Sequence, residues 1–204
     1  MTTISAIGLS KRYGYQWIVK NFCHTFDANT IYGIAGNNGS GKSTLIKMLS
    51  GFLTPSSGIV EYQNENKKIK PEEIYKFISL VGPYTDMINE YSLEEMFVFH
   101  QKFKPFSTQM SFEGYLEIIN LKGQGEKMLQ HFSSGMKQKI QLSLALMSDT
   151  PVLLMDEPTS FLDKNAKDWF VNLLYTYKSK RIIIIASNDQ FDLNLCEQII
   201  SLSE

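Results

Sequence analysis

The chain has 204 residues, 43% of them hydrophobic, enough to bury a sizeable core in one domain with an inserted or appended subdomain. Its 20 Lys+Arg against 21 Asp+Glu are interspersed and leave a net charge of −1, which excludes a global basic field for nucleic acid. Two cysteines, Cys23 and Cys196, point to a reducing compartment without a disulfide framework, Met1–Ser5 lacks the marks of a secretory signal, and no uncharged run approaches the roughly 20 apolar residues of a membrane helix.

The first stretch alternates as antiparallel strands do: Ile4–Leu9, then Trp17–Val19, then Asn21–Phe26. The apolar run Thr30–Ala35 leads into Gly36-Asn-Asn-Gly-Ser-Gly-Lys-Ser-Thr44 and then into the helix-like Leu45–Ser50. Strand, glycine-rich loop and helix is the context in which G-x-x-x-x-G-K-[S/T] binds phosphate. Gly36, Gly39 and Gly41 let the loop, with Asn37, Asn38 and Ser40, turn its N–H groups inward. Those groups and the helix N-terminus make an anion site. Lys42 would reach the β- and γ-phosphates of a nucleotide, Thr44 belongs with the phosphates, and the Ser43 hydroxyl would ligate Mg²⁺.

Past the loop, Thr54–Gly58 is a turn cluster, Ile59–Tyr62 a strand, Asn64–Lys68 a polar loop and Phe77–Val81 another strand. From about Ser92 to Met147 the period becomes helical. Ser92-Leu-Glu-Glu95 reads as a capping box, and Glu113–Leu121 and Gly135–Met147 read as two further helices. The methionines here read as core filling, and Lys137 and Lys139 as a solvated helix face. Of Phe97, Phe99, Phe103 and Phe106, any left exposed would mark a docking face. Val152–Met155 is a buried strand, Lys164–Tyr177 a helix and Arg181–Ala186 a second buried strand. These runs predict an α/β fold with a parallel sheet covered on both faces and a helical insert, and with the phosphate loop the layout resembles a P-loop NTPase (RecA-like) core with an N-terminal antiparallel β subdomain and an inserted α-helical subdomain. A single domain spans 1–204, with 1–81 and 151–204 as core plus β subdomain and 82–150 as the helical subdomain.

The strand at Val152 ends in Asp156-Glu157-Pro158. Beside a phosphate loop the first acid holds Mg²⁺, usually through water, and the second is placed to orient or deprotonate an attacking water. Just upstream, Phe132-Ser-Ser-Gly-Met-Lys-Gln-Lys139 opens a helix, with Ser133 lying 23 residues before Asp156.

With that stretch in view, the chain resembles the ATP-binding cassette (ABC) ATPases, in which a Leu-Ser-Gly-Gly-Gln-type signature precedes the acidic strand at a fixed distance. Ser160-Phe-Leu-Asp163 is similar to the family's D-loop, and Tyr13 to the aromatic that stacks on adenine. The resemblance covers essentially the whole chain. It implies an ATP-hydrolysing subunit that uses ATP and Mg²⁺ and pairs head to tail with a second cassette, identical or not. ATP would lie between the phosphate loop of one cassette and the signature of the other. Ser133 and Gly135 would serve the opposite subunit's γ-phosphate, and Asp163 would organise the interface. The helical lobe would dock a transmembrane permease, placing the protein peripherally on the cytoplasmic, inner face of the cell membrane, with no nucleic-acid partner. The signature is closer to exporter-type cassettes than to solute importers.

Three positions depart from the family pattern. The signature reads Ser-Ser-Gly-Met. Pro83 stands at or near the Q-loop glutamine and offers no side-chain acceptor, leaving Tyr84, Thr85 or Asp86 as substitutes. Ser187-Asn188-Asp189 replaces the triplet with the switch histidine; Asn188 can donate to a γ-phosphate but cannot take a charge. The three histidines, His24, His100 and His131, read as solvated or core-edge residues. Glu157 remains, with Lys42 and Asn188 as the other catalytic candidates, so slow but nonzero hydrolysis is expected. The alternative is an ATP-gated binding module whose hydrolysis is slow or lost through Pro83 and Asn188. A cassette acting on ribosomes or DNA lacks its basic patch here.

Overall fold

The structure, a computed structural model, describes residues 2–65 and 67–202; Met1, Asn66 of the polar loop and the tail at 203–204 lie outside the described residues. Strand β1 (Thr3–Tyr13) pairs antiparallel with β2 (Gln16–Asp27). Where the pattern predicts two runs, Trp17–Val19 and Asn21–Phe26, the chain makes one strand. The interruption is absorbed as irregular register, with Asn21 at φ 45°. Strand β3 (Thr30–Ala35) follows, then helix α1 (Lys42–Leu49), β4 (Ser57–Asn64) and β5 (Lys67–Lys68). The polar run expected as a loop is a hairpin instead, in which Gln63 pairs with Lys68 and Asn64 with Lys67. Charged side chains are compatible with pairing at an exposed edge. The antiparallel sheet runs β2-β1-β4-β5.

Strand β6 (Ile78–Val81) starts one residue later than predicted, because Phe77 ends the 3₁₀ turn Pro71–Lys76. Helix α2 (Leu93–Phe103) opens with the predicted capping box: Ser92 accepts from the Glu95 N–H, and the Glu95 carboxylate accepts from the Ser92 N–H. Helix α3 (Phe112–Ile118) stops three residues early, as Asn120 turns to φ 56°. Helix α4 (Ser134–Met147), strand β7 (Val152–Asp156), helix α5 (Lys164–Tyr177), strand β8 (Ile182–Ser187), the short α6 (Gln190–Leu193) and β9 (Gln198–Ser201) complete the chain. The second sheet is parallel throughout, in the order β6-β7-β8-β3-β9. Its β7 and β8 are buried at every position, which is why they read as unbroken apolar runs. Strand β9 escapes the pattern because it is a short edge strand exposed at three of its four positions.

Three apolar clusters hold these layers. One fills the space between the two sheets and α1, including Phe26, Leu45 and Ile184. A second lies between the parallel sheet and α4 and α5, including Leu153, Phe170 and Ile183. The third is the helical lobe, including Leu93, Tyr115 and Ile140. Helix α4 takes part in two of them: Leu142, Ala145 and Leu146 face the sheet, while Ile140, Leu144 and Met147 face the lobe. It therefore couples the lobe to the sheet. No helix among the described residues is long and apolar enough to cross a membrane.

Candidate functional site

Register brings the site together. Ala35 pairs with Ser187, and Asp156 with Ala186, so β3, β7 and β8 end side by side. The phosphate loop, the two acids and Ser187-Asn188-Asp189 all leave the sheet at this edge, where ligands of open α/β sheets collect. Gly41 caps α1 at φ 96°, and a Cβ there would stand 2.8 Å from the Ile18 carbonyl oxygen. Gly39 is also left-handed, at φ 87°, so the loop needs glycine at both places. Lys42 folds back over the loop, its Nζ donating to Gly36 O at 2.8 Å and to Asn37 O at 3.0 Å. It is buried there, and the nearby Ser40 hydroxyl has no partner among the described residues. Thr44 is half-buried on the first turn of α1.

Asp156 is 1% exposed, and neither of its carboxylate oxygens has a hydrogen-bond partner among the described residues. Burial pushes its pKa up. The Ser43 hydroxyl pulls it down, the Glu157 charge raises it, and Lys42 and Lys47 lower it. A carboxylate left unsatisfied in the interior costs free energy until a cation meets it. Two open oxygens, a neighbouring hydroxyl and an adjacent phosphate cradle fit a hard divalent cation such as Mg²⁺.

Glu157 follows at φ 50°, a left-handed conformation uncommon outside glycine. Its N–H donates to Ala186 O at 2.8 Å, which extends the sheet ladder by one bond and fixes where the side chain leaves. Asn188 stands at the phosphate loop, its Nδ2 donating to Asn38 Oδ1 at 2.8 Å. Behind these residues Asp192 is buried and accepts from Thr159 Oγ1 at 2.8 Å and Ser187 Oγ at 2.7 Å. It thus ties the segment after Glu157 to the segment before Asn188. Burial pushes the Asp192 pKa up, and the two hydroxyls pull it down. Sequence reasoning missed Asp192; the one signal was an acid three residues past the Ser-Asn-Asp triplet.

The signature residues occupy a different part of the molecule. Ser133 caps α4, its Oγ accepting from the Met136 N–H at 3.3 Å, and both Ser133 and Ser134 are exposed. Gly135 has an in-chain reason to be glycine: a Cβ there would stand 2.9 Å from the Phe161 carbonyl oxygen. Asp163 caps α5, accepting from the Ala166 N–H at 2.8 Å. No hydrogen bond joins Ser133, Gly135 or Asp163 to this chain's own phosphate loop among the described residues. Gln138 of α4 instead donates to Pro158 O at 2.8 Å, so the signature helix touches the acidic segment from behind.

Tyr13 lies at the end of β1, 52% exposed, with Lys11 Nζ 5.5 Å from its ring centroid. The cleft that reaches Gly39 and Ser40, about 630 Å³, is lined by Trp17, Ile18 and Phe22 and not by Tyr13. His100 is the one histidine drawn well into the core edge: its Nε2 lies 2.8 Å from Ser148 Oγ. Of the phenylalanine run, Phe97 and Phe106 are buried while Phe103 stays exposed.

The family profile described as ABC transporter matches residues 19–160. The chain is 30% identical over 184 residues to the bacitracin transport ATP-binding protein BcrA of Bacillus licheniformis, across 90% of this chain and 60% of that one. It is 27% identical over 201 residues to the Nod factor export ATP-binding protein I of Rhizobium sp. (strain N33), across 96% of this chain and 66% of that one. The chain thus spans less than two thirds of the length of either relative. Among solved structures it shares its fold with MJ0796, a bacterial ABC transporter cassette solved as a dimer, at a TM-score of 0.79 and 22% identity over 97% of this chain and 93% of that one.

Proposed function

The chain belongs to the ABC transporter family, whose profile takes in residues 19–160, and on that premise we propose that it binds ATP with Mg²⁺ and hydrolyses it to power transport. Asp156 carries this reading: a buried carboxylate with two open oxygens beside a phosphate loop has no structural use that repays its desolvation. The loop N–H groups and the N-terminus of α1 would bind the β- and γ-phosphates. Lys42 would exchange the Gly36 and Asn37 carbonyls for phosphate oxygens, a swap of neutral for charge-assisted bonds. Ser43 and Asp156 would hold Mg²⁺, which supplies charge neutralisation at the phosphates when bound. Glu157, aimed by its left-handed backbone, would orient the attacking water and take its proton. Asn188 would donate an amide N–H to the γ-phosphate from its place on Asn38.

A second cassette completes the site in this reading. The exposed Ser133 and the first N–H groups of α4 would meet the opposite subunit's γ-phosphate, and Asp163 would lie at the shared interface. A groove of about 390 Å³ between α2, α4 and β6 is lined by Met87, Met96, Phe99, Phe103 and Lys104 and would seat a permease segment on the cytoplasmic face. The relative named for Nod factor export favours an export role.

Phosphate release by purified protein with Mg-ATP, against Lys42→Ala as control, tests this. A wild-type rate clearly above the control supports the reading, and a Glu157→Gln variant should then accumulate an ATP-bound dimer. Equal rates with ATP still bound would leave a nucleotide-gated clamp.

A further inference from the structure

The segments that carry Glu157 and Asn188 leave neighbouring strands and are joined behind the site by one carboxylate. Asp192 is 1% exposed, and its oxygens are divided between the two segments: Oδ1 accepts from Thr159 Oγ1 at 2.8 Å and Oδ2 from Ser187 Oγ at 2.7 Å. Thr159 and Ser187 are buried with it. On one side the bridge reaches Glu157. Thr159 lies inside a turn that closes on the Glu157 carbonyl, which accepts from Ser160 Oγ at 3.1 Å, while the Glu157 N–H is fixed to Ala186 O at 2.8 Å. On the other side it reaches Asn188. Ser187 Oγ donates to Asp192 and also accepts from the Asp189 N–H at 3.0 Å, so the hydroxyl spans the residue between them. Asp189 in turn accepts from Lys167 Nζ of α5 at 2.9 Å.

A buried carboxylate met by two hydroxyls is a costly way to fill space. An apolar side chain of similar size would carry no desolvation cost, and the best-attested use of such buried groups is to fix one arrangement of the chain. What is fixed here is a spacing. Glu157 has a left-handed backbone at φ 50°, a conformation that persists only where the surroundings hold it. Its side chain is half-buried and that of Asn188 is exposed, so neither is anchored as a core residue is. Hydrogen bonds to a carboxylate are of the stronger kind, and each of these two hydroxyls sits within two residues of a group at the phosphate edge.

Resting on the hydrolysis reading above, we propose that Asp192 is a positioning residue: through Thr159 and Ser187 it holds the water-orienting Glu157 and the amide donor Asn188 at one fixed spacing about the γ-phosphate. It acts through those two residues and touches neither nucleotide nor water itself. Cutting either hydroxyl bond frees one segment from the other, so both groups lose their registration together.

The test pairs Thr159→Val, which keeps the side chain's shape and removes the donor, with Thr159→Ser, which keeps the donor. In steady-state phosphate release with Mg-ATP, Thr159→Val should lower kcat about tenfold, the value of roughly one hydrogen bond to a charged group, with KM within about twofold of wild type. Thr159→Ser should restore most of the rate. Adding Asn188→Ala to Thr159→Val should cost less than about threefold more, because residues joined in one network are not additive. An unchanged kcat in Thr159→Val overturns the inference, and so does an Asn188→Ala loss of equal size in both backgrounds. A bond that serves stability alone would move the unfolding midpoint and neither of these. Amide hydrogen exchange reads the same bridge without turnover: in Thr159→Val the Asp189 amide, on the far side of the carboxylate, should exchange about tenfold faster, and in Thr159→Ser as in wild type. Exchange that changes only around residue 159 overturns the inference. If Thr159→Val does not fold, Asp192→Asn, which keeps the shape and makes both bonds neutral, is held to the same losses. Wild type releasing phosphate no faster than Lys42→Ala would sink the hydrolysis reading instead, and the exchange result would then decide by itself whether the two segments are held as one.

Discussion

Asn188 Nδ2 donates to Asn38 Oδ1 at 2.8 Å, a bond that ties the end of β8 to the phosphate loop across 150 positions of sequence. It places an amide donor beside the phosphates without placing a titratable group there. Asn188→Ala removes that donor from an exposed side chain and leaves the core untouched. Phosphate release should fall about tenfold, the value of roughly one hydrogen bond to a charged group, while thermal stability stays within about 0.5 kcal/mol of wild type. An unchanged rate would remove Asn188 from the catalytic set.

Glu157 holds a left-handed backbone that a glycine would adopt without strain. Glu157→Gly should therefore raise the unfolding free energy by about 1 kcal/mol, or a few degrees of Tm, and abolish phosphate release at the same time. Stability and turnover moving in opposite directions is the outcome to look for in paired calorimetry and kinetics. A variant that loses both would show that the Glu157 side chain also holds the fold.

Gly135 has no room for a methyl group because Phe161 O would lie 2.9 Å from it, and that oxygen belongs to backbone that cannot swing aside. Gly135→Ala should cost about 1–3 kcal/mol in denaturant unfolding of the chain by itself, with no nucleotide present. Neighbouring Ser134 is exposed, and Ser134→Ala should be near neutral in the same assay. The pair separates an in-chain packing demand from a demand made across a dimer.

His100 sets an acid limit on stability. Burial first, then the charge of Lys104, hold its pKa down at about 4 against an ordinary 6.5, with the Leu144 backbone raising it slightly. A depressed folded pKa means the unfolded chain binds the proton first. Its contribution is therefore fully present above pH 6.5 and is lost as pH falls toward about 4. Across that window the unfolding free energy should drop by about 2–3 kcal/mol, and His100→Gln should flatten most of that slope. Urea titrations at a series of pH values would show it; parallel curves for the two proteins would count against the assignment.

Much of the site is legible in the chain because its parts obey local rules. The loop Gly36–Thr44 announces itself by glycines at fixed spacing before a helix, and the capping box at Ser92 by four adjacent residues. Strands β7 and β8 show as apolar runs because both faces of a central parallel strand are covered. The acid pair Asp156-Glu157 is readable from its place at the end of such a strand.

Other features have no local signature. Strand β9 is an exposed edge whose residues pair only because β3 lies alongside. Asp192 looks like any surface acid until Thr159 and Ser187 close on it. Trp17 lines the cleft beside Gly39 and the exposed Tyr13 does not, which the order of aromatics along the chain does not reveal. The glycine at 135 is required by a carbonyl 26 residues further on. A chain segment encodes its own period, caps and turns through neighbours a few residues away. Contacts such as Asn188 with Asn38, or Lys47 with the Tyr84 ring, exist only once sheet register and core packing have brought distant segments together.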